Sequence, residues 1–194
     1  MSTKRRTLVL TQCVYTSFCS PGTKGAQRVD EWHDFFLAAA GAAAVLAGLV
    51  FVGVSINLEK IMSDPSYGLA GRALEALVLL VAVLIVTLLL LVPSQGMVLA
   101  GAEVLAVGVV GWAAVVIIQL LALRNWRSSL DPAFRRHLVP RVALCQVATL
   151  PILAAGIGVM GWGVGGLYWL VAGVVLSFLV AVVDSWVLLV EINR

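Results

Sequence analysis

The alternation of apolar and polar stretches divides the chain into a polar leader and five long apolar runs. Residues 1–31 are polar and contain the breakers Pro21-Gly22 and Lys24-Gly25. They read as a poorly ordered N-terminal tail. Trp32-His33-Asp34-Phe35-Phe36 follows, with aromatic rings suited to a headgroup zone and two polar side chains suited to water. Residues 32–194 then read as one transmembrane domain with runs at 35–58, 73–92, 97–123, 142–160 and 167–190. The first and fourth runs hold no Asp, Glu, Lys or Arg, and the others hold one acid each: Glu75, Glu103 and Asp184. A helix crosses a hydrocarbon core of ~30 Å in about 20 residues, so each run suffices alone.

The links between runs differ in kind. Residues 93–96 and 161–166 are short and uncharged, whereas 59–72 and 124–141 are longer and charged. Short links force antiparallel neighbours. The expected fold is therefore an all-α integral membrane bundle of five transmembrane helices with two tight helical hairpins, runs two–three and four–five. Within the second long link, Asp131-Pro132 signals a helix start. A short interfacial helix with Phe134 and Leu138 toward lipid is the expectation there.

Composition sharpens this reading. The 194 residues are 61% hydrophobic and 12% charged, against roughly 45–50% and about 25% in ordinary globular chains. A soluble fold of this size cannot hide so much apolar surface, which excludes a water-soluble enzyme or a nucleic-acid-binding domain. Disorder is excluded for most of the chain, since disordered segments are polar and charged.

The basic residues suggest an orientation. Lys60, Arg72, Arg124, Arg127, Arg135, Arg136, Arg141 and Arg194 fall on one side of a five-crossing path, and the two hairpin turns on the other side hold no Lys or Arg. The positive-inside rule then puts the C-terminus in the cytoplasm. Arg124, Arg127, Arg135, Arg136 and Arg141 are candidates for contact with anionic lipid headgroups. Lys4-Arg5-Arg6 with Thr7–Cys19 faintly resembles a signal peptide, although Thr11, Gln12, Thr16 and Ser17 dilute the apolar region. A start codon assigned too far upstream accounts for the tail equally well. Cys13 and Cys19 are a candidate disulfide in an oxidising compartment, and Cys145 reads as a small buried hydrophobe.

Helices in lipid pair through small residues, because lipid tails are as apolar as leucine. Ala40, Ala44 and Gly48 form one small-residue ridge, and Gly173, Ser177, Ala181 and Ser185 form another. Both are candidates for close helix contact, within the chain or between subunits.

Polar groups inside a bilayer are costly and are functional candidates by default. Asn57, Glu75, Gln119, Gln146 and Asp184 lie at the same membrane side of an antiparallel five-helix path. They form either a polar vestibule for an ion or proton or a set of interhelical hydrogen bonds that pins the bundle. Glu75 and Asp184 can also pair with Arg72, Arg124 or Arg141. Glu103 stands apart, near the opposite turn. No nucleophile elbow, HExxH zinc motif, phosphate-binding loop or dinucleotide fingerprint occurs, so no catalytic residue, metal motif or cofactor is assigned.

Two segments carry a family likeness. Trp-His-Asp-Phe-Phe at 32–36 and Gly-Leu-Val-Phe-Val-Gly-Val-Ser-Ile-Asn-Leu at 48–58 resemble the first helix of a widespread group of small bacterial multi-pass membrane proteins of uncharacterised activity. The resemblance implies a bacterial cytoplasmic membrane and draws attention to Ser55 and Asn57. The expected function is a non-enzymatic structural or regulatory membrane component, assembling with itself or a membrane partner. The alternative is a small ion channel or an ion- or proton-coupled transporter using the polar cluster.

Overall fold

The computed structural model describes residues 32–59, 69–93, 95–126 and 132–192. Among these the secondary structure is entirely helical: α1 (His33–Ile56), α2 (Leu69–Leu90), α3 (Met97–Trp126), α4 (Pro132–Trp162), a 3-10 turn (Gly163–Gly166) and α5 (Leu167–Ile192). All five α-helices are long and apolar enough to cross a membrane. The chain is a multi-pass, membrane-spanning helical bundle. The N-terminal tail, the Cys13/Cys19 pair, Arg127 and the side chains of Arg135 and Arg136 lie outside the described residues.

Helices α2 to α5 close into a ring of four, with α2 against α3, α3 against α4, α4 against α5 and α5 against α2. Leu79, Val115, Cys145, Ala148 and Val180 meet at its centre, so every helix of the ring contributes to one apolar layer. α1 lies outside the ring, where Leu46, Ala47, Val50 and Val54 pack against Ala76, Leu77 and Leu80 of α2 and Phe178 and Ala181 of α5. Outward positions such as Leu49, Phe51, Val110, Leu120, Ile157 and Leu179 are exposed. Such a continuous apolar exterior is stable only in lipid.

Both expected hairpins are present. At the α2–α3 turn, Leu91 and Val92 donate backbone bonds to Leu88 and Leu89, tightening the last turn of α2. Gln95 Nε2 donates to Glu103 Oε2 at 2.8 Å and ties that turn to α3. At the α4–α5 turn the backbones touch. A Cβ on Gly166 would collide with the backbone of Val159, and one on Gly158 would lie 2.9 Å from Gly166 Cα.

One expectation is revised. The separate interfacial helix after Asp131 is instead the start of α4, which runs without a break from Pro132 to Trp162. Charge ends a hydrophobic run, but it does not end a hydrogen-bonded helix, so hydropathy underestimated this element. The most extensive helix pair is α3–α4, joined by the long link rather than by a tight turn. Its glycines explain the approach. A Cβ on Gly156 would sit 2.7 Å from Leu105 N, and one on Gly101 would sit 3.0 Å from both Gly156 O and Met160 N. Glycine alone permits backbones this close.

Candidate functional site

One helical turn from the apolar layer, each ring helix carries a polar side chain. Glu75 precedes Leu79 by four residues, Gln119 follows Val115 by four and Asp184 follows Val180 by four. On α4, Cys145 and Arg141 follow the same face toward that end. Because neighbouring ring helices run antiparallel, these offsets place all of them in one layer.

The layer divides into two groups. In the first, Arg141 binds Glu75: Nε and Nη2 donate to Oε2 at 3.0 and 2.7 Å. The Glu75 side chain is only 1% exposed and that of Arg141 13%. The guanidinium lies over Gly71, one turn before Glu75, at 3.7 Å from where a Cβ would be, an ordinary contact distance. The Cys145 thiol also donates to Glu75 Oε2, at 3.7 Å. Asp184 completes the group, with one donor atom each from Glu75, Cys145 and Asp184 lying within 4.8 Å of one another. Arg72 acts on both carboxylates through space.

In the second group, between α3 and α4, Trp112 Nε1 donates to Gln146 Oε1 at 2.7 Å and Gln146 Nε2 donates to Gln119 Oε1 at 3.2 Å. Gln146 is held only by this chain of bonds, whereas Gln119 shares its face with Gly101 and Gly108, both turned toward α4.

Most other polar side chains in the spans are satisfied by their own helix. Ser55, Asn57, Thr87, Thr149 and Ser185 each donate to a carbonyl four residues back. Asn57 thus lies near the polar layer, but among the described residues no hydrogen bond joins it to Glu75, Gln119, Gln146 or Asp184. Four buried atoms stand out against this background. Gln95 Oε1, Gln119 Nε2, Ser177 Oγ and Asp184 Oδ2 have no hydrogen-bond partner among the described residues.

The small-residue ridges are placed differently from one another. Gly173, Ser177 and Ala181 are buried, with Ile152 of α4 directly over Gly173. Ser185 is half-buried. On α1, Ala40 is buried but Ala44 and Gly48 are exposed, and Gly41, Gly48 and Gly53 have open space around them. The chain's own contact with α1 uses Leu46, Ala47, Val50 and Val54, turned away from Ala44 and Gly48. Of the headgroup candidates, Arg124 is exposed at the end of α3, whereas Arg141 turns inward onto Glu75.

Cys145 as a member of the cluster was missed in the sequence, whereas Arg141 was one of three expected partners of the carboxylates and is the one found on Glu75. The signal was present: 141, 145 and 148 recur at helical spacing on one face, and 145 and 148 belong to the core of the ring. No protein family, curated protein or solved structure matches the chain.

Proposed function

We propose that the protein is a non-enzymatic, structural or regulatory component of a bacterial cytoplasmic membrane that assembles laterally through α1, with itself or with a membrane partner. The carrying observation is the unused small-residue face. Gly41, Ala44 and Gly48 share one side of α1, are exposed and have nothing within reach of an added Cβ at either glycine. Leu37, Val45 and Val52 beside them are exposed too, and an exposed face of small residues bordered by apolar side chains is of the type that admits a neighbouring helix. The C-terminus is assigned to the cytoplasm by the basic residues of the two long links, with Arg124 at the headgroups. The test is mass measurement in mild detergent together with identification of co-purifying proteins. Gly48→Leu is expected to reduce the particle to a single chain. A lone chain in the unaltered protein, with nothing bound, would contradict the reading.

A second reading, an ion- or proton-coupled transporter, is favoured by the buried Glu75/Asp184 pair with its unpartnered Oδ2. The apolar layer of Leu79, Val115, Ala148 and Val180 closes the ring beside that pair, so transport requires helix rearrangement rather than an open pore. Loss of ion flux in Asp184→Asn liposomes, with the fold intact, would support it. Equal background flux in both forms would remove it.

A further inference from the structure

Three potential metal donors come from three helices: a carboxylate from α2, a thiol from α4 and a carboxylate from α5. Glu75, Cys145 and Asp184 are 1%, 0% and 4% exposed, and their donor atoms lie within 4.8 Å of one another. We propose that these three residues form an intramembrane binding site for a divalent cation of the zinc class. The proposal stands apart from lateral assembly, since no residue of α1 takes part.

Four observations converge on it. Asp184 Oδ2 is buried without a hydrogen-bond partner, although an unpaired charged oxygen at such a depth is costly. A cation at the centre of the group supplies the missing partner. One separation matches that of a bound site. With Zn–S and Zn–O bonds of ordinary length, a tetrahedral site sets sulfur and oxygen about 3.6 Å apart, and Cys145 Sγ lies 3.7 Å from Glu75 Oε2, while the three donors together lie within 4.8 Å and draw in on binding. The donor set selects among metals: thiolate with two carboxylates suits zinc or cobalt, whereas calcium and magnesium take oxygen alone.

Charge gives the fourth argument. Glu75, Asp184 and the Arg141 that contacts Glu75 sum to one negative charge when both acids are ionised. Binding a dication with release of the Cys145 thiol proton adds one positive charge and neutralises that set. Arg72, half-buried in the first turn of α2, acts on the same carboxylates from further out. Arg141 keeps a distinct task, since its two bonds to Oε2 fix the Glu75 carboxylate in its inward direction. Three protein ligands leave the fourth tetrahedral position open. Such a site suits a cation that exchanges more than one locked in as a structural rivet.

The experiment uses the full, untagged chain in detergent, with Cys13→Ser and Cys19→Ser so that Cys145 is the sole thiol. Cobalt(II) is the probe. One equivalent is expected to give a sulfur-to-cobalt charge-transfer band and to release a proton, with zinc displacing the cobalt and calcium or magnesium leaving it in place. Cys145→Ser is expected to remove the band. Asp184→Asn is expected to weaken cobalt binding at least about tenfold, a loss typical even of residues that only support ligands. Zinc is also expected to slow alkylation of Cys145 by a small membrane-permeant reagent in protein with all three ligands intact. No band in excess cobalt, a band that survives Cys145→Ser, unchanged affinity in Asp184→Asn or an alkylation rate indifferent to zinc would each overturn the proposal.

Discussion

Gly48 on α1 and Gly156 on α4 are both mid-helix glycines in apolar runs, and the structure treats them oppositely. Leu105 presses so closely on Gly156 that an added Cβ would lie 2.7 Å from its backbone nitrogen, whereas around Gly48 there is nothing within 4 Å. One glycine is committed to the fold and the other is left on the outside. Small-residue spacing shows which helix faces can approach another backbone. It does not say whether the partner belongs to the same chain.

Substitutions at the closed and open faces sharpen that contrast. The largest effect is expected at Gly156. Gly156→Leu would drive α3 from α4 along the most extensive contact in the ring, and the expected outcome is loss of the fold, read as loss of a cooperative thermal transition in detergent. Next is Arg141→Ala, which leaves Glu75 buried without its cation. Breaking such a pair costs about 3–5 kcal/mol. The double variant Glu75→Gln/Arg141→Met is expected to recover much of that loss, as measured by the same unfolding transition. An unfolding transition unchanged in Arg141→Ala would mean that the pair contributes little. Gly173→Ala comes third: its Cβ would fall 2.6 Å from Ile152 Cγ1, and overpacking of this kind costs about 1–3 kcal/mol. Smallest is Gly48→Leu. It is expected to leave the unfolding transition of the single chain within about 0.5 kcal/mol of the original, while removing self-association or partner binding.

The fold was largely legible because membrane crossing is a matter of length and charge. Each uncharged run of about 20 residues has few alternatives in lipid. The antiparallel path then fixed which ends of the runs share a leaflet, and the structure groups Glu75 with Asp184 and Gln119 with Gln146. Three features were hidden for physical reasons. The start of α4 at Pro132 was obscured because its first turns are charged and hydropathy reports solvent rather than hydrogen bonding. The choice of Arg141 over Arg72 and Arg124 as the partner of Glu75 was left open because a cation at a helix end looks the same whether it meets a phosphate outside or a carboxylate inside. The α3–α4 interlock was obscured because Gly101, Gly108 and Gly156 lie on different helices, and a pattern read along one helix cannot reveal what opposes it.

The contrast also separates the two parts of the functional account. The cluster at Glu75, Cys145 and Asp184 belongs to the closed ring, and the small-residue face at Gly41, Ala44 and Gly48 belongs to the open helix. A variant at either place is expected to leave the other's readout unchanged, because the two share no residue. The most direct test of the central claim is site-specific photocrosslinking in native membranes. The probe is placed at Val45, beside that face of α1, or at Val110, an equally apolar and exposed position on α3. A higher-mass adduct is expected from position 45 that disappears with Gly48→Leu, and none from position 110. Adducts of equal strength from both positions, or from neither, would contradict the central claim.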